Sequence, residues 1–580
     1  MVKTILAQVK EFKKASVLTP VFVVLEVVME VLIPLLMAAI IDKGVEAGDM
    51  RAVYTTGGAM AVMAMLSLCF GVLAGKYAAR ASSGLARNLR RSMFANIQTF
   101  SFANLDRYST AGLVTRMTTD VTNVQNAYQM ILRMCTRAPV MLVCALVMAF
   151  SINGRLSLIF LGAILFLGVC LALITKNAHP VFMEVFRKYD DLNASVQENV
   201  SAIRVVKSYV REEHEIGKFQ KACGDVYRLF VKAESVLALN SPIMQFTVYA
   251  CILLLSWLGA RMIAVGGLTT GQLMSLFSYV MNILMSLMMI SMVFVMITMS
   301  RASGERIAQV LDEKTDLENG PDPVRQVKDG SVEFSHVTLR YRAGKRPVLE
   351  DVNLSVAPGE TLGIIGGTGS AKSSLVQLIP RLYDVSEGAV LVGGVDVRRY
   401  DLDTLRSQVA MVLQKNVLFS GTIKENLRWG NEGATDEQLR QACIQAQADA
   451  FIQTFPAGYD TYIEQGGANV SGGQKQRLCI ARALLKRPKV LILDDSTSAV
   501  DTKTEAQIRR AFAEAIPGTT KIIIAQRISS VQDCDHILVL DEGRVKGYGT
   551  HGELLRTSAI YQDVYRSQQK GGDEDAAHAE

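Results

Sequence analysis

Six long apolar stretches fill the amino-terminal half of the chain, near residues 18–41, 56–76, 138–152, 156–175, 242–265 and 272–299. A helix needs roughly 20 such residues to cross a bilayer; the third stretch reaches that length only by extending back through Met130–Thr136. The intervals between them alternate. Those after the first, third and fifth are brief, whereas residues 77–137 and 176–241 are long and polar. These long intervals keep apolar positions at helical spacing, as at Val200, Ile203, Val206 and Val210, which predicts helices continuing beyond the bilayer. They also carry Lys76, Arg80, Arg87, Arg90, Arg91, Arg107 and Arg116. That basic bias places them, with the amino terminus, on the cytoplasmic side. Residues 1–14 set Lys3, Lys10, Lys13 and Lys14 beside Ile5, Leu6, Val9 and Phe12, the pattern of an amphipathic interfacial helix rather than a cleavable signal.

The pattern changes around Asp312–Gly330, a polar stretch that reads as a linker. Beyond it, short strand-like runs such as Val332–Leu339, Thr361–Ile365 and Val490–Leu493 alternate with helical segments, the signature of an α/β domain with a largely parallel sheet. The division this implies is a membrane domain over 1–311, a linker over 312–330, a soluble domain over 331–568, and an acidic tail over 569–580 expected to be disordered. The net charge of +6 is small for 580 residues and argues against a nucleic-acid partner. Nine cysteines lack metal-ligand spacing, and Cys69, Cys144, Cys170 and Cys251 lie inside apolar runs, where free thiols behave as small hydrophobes.

Chemistry concentrates in the soluble domain. Strand Thr361–Ile365 runs into Gly366, Gly367, Thr368, Gly369, Ser370, Ala371, Lys372, Ser373 and Ser374. This is a phosphate-binding loop in its strand–loop–helix setting: backbone N–H groups curl around phosphate oxygens, Lys372 neutralises the β- and γ-phosphates, and Ser373 ligates Mg²⁺. Ala371 stands where a glycine is usual, and its cost depends on whether that position needs a glycine-only conformation. The run Lys489–Leu493 ends in Asp494, placed to hold Mg²⁺, and Asp495. The latter stands where a water-polarising glutamate is expected. Losing one methylene withdraws the carboxylate by about an ångström or more, and water positioning is sensitive to such a shift.

Between these motifs lie Ser471, Gly472, Gly473 and Gln474, followed by the helical run Leu478–Leu485. With that order and spacing, the chain resembles an ATP-binding cassette transporter, whose signature loop is SGGQ. The resemblance spans essentially the whole chain and implies a fold: an α-helical membrane domain of six transmembrane helices, exporter type, fused to a cytoplasmic α/β P-loop ATP-binding cassette. It implies ATP and Mg²⁺ as cofactors, and a multi-pass location in the cell membrane with amino terminus and cassette in the cytoplasm. Tyr341 resembles the aromatic that stacks on adenine, Gln414 the glutamine that touches Mg²⁺, and Asp501 the aspartate that communicates between cassettes. The strand Ile522–Ala525 ends in Gln526 where the family has a histidine at the γ-phosphate; a glutamine hydrogen-bonds phosphate but carries no proton.

In this family two cassettes meet head to tail, so each ATP lies between one phosphate loop and the other chain's signature. Here Asp495 and Gln526 depart from the pattern while Ser471–Gln474 is intact. The chain is therefore similar to the degenerate-site subunit of bacterial heterodimeric exporters, which implies a non-identical half-transporter partner with an intact Glu and His. The segments Thr115–Met117 with Asp120, and Ser201–Lys207, resemble the two coupling regions. Cargo is less legible. Glu26 and Glu30, one turn apart in the first span, suit either attraction for cations or interhelical bonding. A methionine face including Met274, Met281, Met285, Met288 and Met292 in the sixth span suits either a plastic substrate surface or plain packing. The expected cargo is a hydrophobic or amphipathic small molecule; a homodimeric or heterodimeric lipid or peptide exporter, a siderophore-type importer on the same fold, and a non-pumping ATP-gated regulatory subunit are the alternatives.

Overall fold

The computed structural model describes residues 1–341, 344, 346–495 and 502–577. Asp501 lies outside them. The chain divides into two compact units, one of Met1–Gln98 with Thr110–Glu313, the other of Thr99–Ser109 with Lys314 onward.

The first unit is built from helices Lys13–Ala39, Met50–Gln98, Val121–Ile152, Gly154–Ser201, Asn240–Ala264 and Thr270–Asp312. Among the described residues, six helical stretches are long and apolar enough to cross a membrane. At about 1.5 Å per residue, a helix of 49 residues such as Met50–Gln98 is roughly 70 Å long, over twice the hydrocarbon thickness. The polar intervals are thus the ends of these helices together with helix Glu212–Leu237. The third helix begins at Val121, so the short apolar stretch does extend backward.

In the first helix Ala15, Thr19, Val23, Val27 and Val31 are buried at four-residue spacing, one stripe of a helix face. Its far end is tied to the start of the sixth helix. Asp42 accepts from the Thr269 hydroxyl at 2.6 Å and from the Gly271 amide at 2.8 Å. A Cβ at Gly271 would stand 2.4 Å from the Ala38 carbonyl oxygen, the close approach that small residues permit between membrane helices.

The second unit holds a six-stranded sheet in the order Arg544–Gly549, His536–Asp541, Thr361–Ile365, Thr520–Ile524, Val490–Asp494 and Val409–Val412. Its inner strands pair in parallel, and only Arg544–Gly549 runs antiparallel. Val490, Leu491, Ile492 and Leu493 are all buried, as a strand covered on both faces requires. A second, antiparallel sheet centres on Val332–Leu339. Two expectations change here. The carboxy-terminal helix runs Ala559–Ala577, so the described part of the segment expected to be disordered, 569–577, is helical; it lacks proline, and its Ala residues favour the helix. The loop segment that packs with the cassette is 99–109, rather than 115–120. It carries the short helix Phe102–Leu105, whose Ser101 cap and Asn104 side chain bond reciprocally.

Candidate functional site

The ends of three neighbouring parallel strands bring the expected residues together. Strand Thr361–Ile365 leads into the phosphate loop, Val490–Asp494 delivers Asp494 and Asp495, and Thr520–Ile524 leads to Gln526. Gly366 has no room for a side chain, because a Cβ there would lie 2.1 Å from the Leu540 carbonyl oxygen. Ala371 adopts the left-handed conformation, φ 71° and ψ 22°. Its methyl therefore carries the strain that glycine avoids, about 1 kcal/mol or more.

Lys372 Nζ donates to the carbonyl oxygens of Gly366 and Gly367, each at 2.8 Å, and approaches Ser370 Oγ at 3.3 Å. Burial pulls the Lys372 ammonium below its ordinary pKa, opposed by the charges of Asp495 and Asp494. A polyphosphate would supply the compensating charge. Ser373 Oγ donates to Asp494 Oδ1 at 3.0 Å, and burial pushes that carboxyl upward against the Ser373 bond. A hydroxyl and a carboxylate oxygen in contact form a donor set suited to Mg²⁺, so these residues fit the ion that nucleotide binding requires.

Asp495 is 8 % exposed and sits at φ 47°, a left-handed position that Asp tolerates better than most residues. Its Oδ2 accepts from Gln526 Nε2 at 2.6 Å and from Gln414 Nε2 at 3.4 Å. Asp495 and Gln526 thus touch each other, with Gln414 turned toward the same oxygen. Tyr341 donates to Ser374 Oγ at 3.0 Å and meets Tyr383 edge to face, with centroids 5.0 Å apart.

Ser471 is the cap of helix Gly472–Leu485. Its hydroxyl accepts from the Gln474 amide at 3.3 Å, while Gln474 Oε1 accepts from the Ser471 N–H at 2.9 Å. Ser471 and Gly472 are exposed. A capped helix start with glycines in its first turn presents free N–H groups to an anion.

Sequence reasoning missed two partners. Tyr383 donates to Asp106 Oδ2 at 2.8 Å, and its ring lies 6.0 Å from that of Phe102. Burial, then Asp106, push the Tyr383 hydroxyl well above the usual phenol range. No local sequence signal marked this pair, since the two residues lie far apart in the chain.

In the membrane unit, Arg137 answers the question of the two acids. Its guanidinium reaches Glu26 Oε1 at 2.6 Å and Glu30 Oε2 at 2.5 Å. A charged residue beside an apolar run was the available signal. Asp120 is buried and gripped by Arg306, Nε to Oδ2 at 2.7 Å, which ties the third helix to the sixth. Met274, Met281, Met285, Met288 and Met292 are all exposed on this chain, so they are not consumed by packing within it.

The comparisons agree with this architecture. Residues 17–288 match the family model of the ABC transporter transmembrane region, and 349–498 match that of the ABC transporter domain. An uncharacterized ABC transporter ATP-binding protein of Bacillus subtilis, YfiB, is 36% identical over 97% of this chain and 98% of its own length. A fatty acid ABC transporter ATP-binding/permease protein of Mycobacterium bovis is 35% identical, covering 78% of this chain and 72% of that protein. An ATP-dependent lipid A-core flippase of Desulfotalea psychrophila is 31% identical over 84% and 85%. Among solved structures, a bacterial Atm1-family ABC exporter with ATP bound superposes with a TM-score of 0.82 at 26% identity, covering 96% of this chain and 99% of that one. The chain belongs to the ABC transporter family and is a half-transporter of exporter fold, a multi-pass inner-membrane protein with a cytoplasmic ATP-binding domain. Half-transporters of this family work as dimers, with transport coupled to ATP.

Proposed function

We propose that this chain is the ATP-retaining subunit of a heterodimeric exporter. It binds MgATP on Lys372, Ser373 and Asp494, turns it over slowly, and lends Ser471–Gln474 to a non-identical partner that supplies an intact Glu and His. The observation that carries this reading is the Gln526–Asp495 bond of 2.6 Å. A site that must orient a water needs a carboxylate free to reach it and a neighbour able to exchange a proton. Asp495 is a methylene short and held by an amide that cannot exchange one. Asp501 would carry the signal between cassettes, and the segment 99–109, which groups with the cassette, together with Ser201–Lys207 the signal toward the membrane.

The cargo is a hydrophobic or amphipathic small molecule. Exposed Met281, Met285, Met288 and Met292 offer a flexible apolar surface. Glu26 and Glu30 share one arginine, which removes most of their attraction for a cation and favours interhelical bonding as their role. The names of the fatty-acid and lipid A-core relatives support a second reading, in which the cargo is a lipid whose acyl chain follows the methionine face.

Photolabelling the reconstituted heterodimer with radiolabelled azido-ATP during turnover tests the assignment of sites. Intact triphosphate is expected on this chain and diphosphate on its partner. Diphosphate recovered equally from both would remove the reading.

A further inference from the structure

The carboxy-terminal helix Ala559–Ala577 reaches back to the nucleotide site through one side chain. Gln568 Nε2 donates to the Gln526 carbonyl oxygen at 2.8 Å, and Gln568 Oε1 accepts from the Ile528 N–H at 2.8 Å. One planar amide therefore spans the two backbone groups that flank Arg527. The segment has a second anchor just downstream, where Arg509 donates to the Ser529 carbonyl at 2.8 Å. Ile528 and Ser530 are buried, whereas Gln526 itself is exposed. The Gln526 side chain thus gets its position from the clamped backbone and from Asp495 rather than from packing.

We propose that Gln568 is a positioning residue for the nucleotide site: its side-chain amide fixes the backbone of 526–528 and so sets the reach of Gln526 toward the terminal phosphate of ATP. This rests on the reading of Gln526 as the residue at the γ-phosphate. A glutamine serves here because both a donor and an acceptor are required, on adjacent atoms of one plane. Glutamate keeps the acceptor toward Ile528 but loses the donor toward the Gln526 carbonyl. Leucine keeps volume and loses both. The helix is joined to the site by a hinge of two hydrogen bonds, so its seating is felt at a phosphate it never touches.

The test compares equilibrium binding of ATP and ADP to the full-length chain carrying Gln568→Leu or Gln568→Glu, together with hydrogen exchange at the Ile528 amide. ADP lacks the γ-phosphate and so reports on the phosphate loop alone. Gln568→Leu is expected to weaken ATP binding roughly 3- to 10-fold, leave ADP binding unchanged, and speed exchange at Ile528. Gln568→Glu is expected to fall between wild type and Gln568→Leu. Equal losses for ATP and ADP would mean a merely structural role and overturn the proposal, as would unchanged ATP binding with faster exchange. If Gln526→Ala also leaves ATP binding unchanged, the fault lies with the assignment of Gln526 rather than with the clamp, whose exchange signature would persist.

Discussion

Ser471→Ala in the proposed heterodimer is expected to suppress steady-state ATPase activity on the order of 10²-fold, while Asp495→Ala leaves it nearly unchanged. The Ser471 hydroxyl sits at an exposed helix start and, in the proposed arrangement, faces the γ-phosphate bound on the partner's loop. Removing a positioned donor from developing phosphate charge costs about 10²–10³ in rate. The same substitution also removes the cap bond to the Gln474 amide, worth about 1 kcal/mol. That loss would lower the melting temperature slightly without abolishing assembly. ATPase assays on both variants, with melting curves as a control, separate the two effects. Similar activity losses for Ser471→Ala and Asp495→Ala would place turnover at this chain's own loop.

The second large effect runs in the opposite direction. Asp495→Glu combined with Gln526→His is expected to raise hydrolysis at this chain's own site on the order of 10²-fold, read with the partner's catalytic glutamate disabled so that its background is small. Glutamate restores about an ångström or more of reach, and the imidazole restores a group that can exchange a proton; a positioned acid–base group is worth about 10²–10⁴ in rate. The two changes belong together because Gln526 Nε2 now holds the carboxylate at 2.6 Å. Either change alone leaves one half of that pair in place, so single variants should gain far less than the double. The strained Ala371, at φ 71°, is common to all variants and does not confound the comparison. No gain in the double variant would assign the slow step to features other than these two residues.

The strands and spans were legible because their signals are local. Thr361–Ile365 and Val332–Leu339 have the bounds read from apolar patterning, and Met130–Thr136 lies inside the helix Val121–Ile152. The phosphate loop and the signature were legible for the same reason: strand, glycines and helix follow one another within a few residues. What patterning could not supply was pairing across the chain. Arg137 meeting Glu26 and Glu30, Tyr383 meeting Asp106, and Gln568 reaching Gln526 and Ile528 join residues from separate elements. Such contacts follow from tertiary packing, not from periodicity. Ala371 is an intermediate case: the sequence raised the question of its conformation, and only backbone geometry answered it. The same holds for the tail, where acidic composition suggested disorder while the helix starting at Ala559 runs on to Ala577.

The central claim, that this chain completes its partner's active site while holding ATP in its own, is tested most directly by its ATPase activity alone. The full-length chain, purified without a partner in lipid nanodiscs, is expected to bind MgATP yet show turnover no greater than a Lys372→Ala control, with activity appearing when the partner half-transporter is added. A homodimer of this chain that turns over ATP at an ordinary enzymatic rate, on the order of 10 s⁻¹, would contradict it.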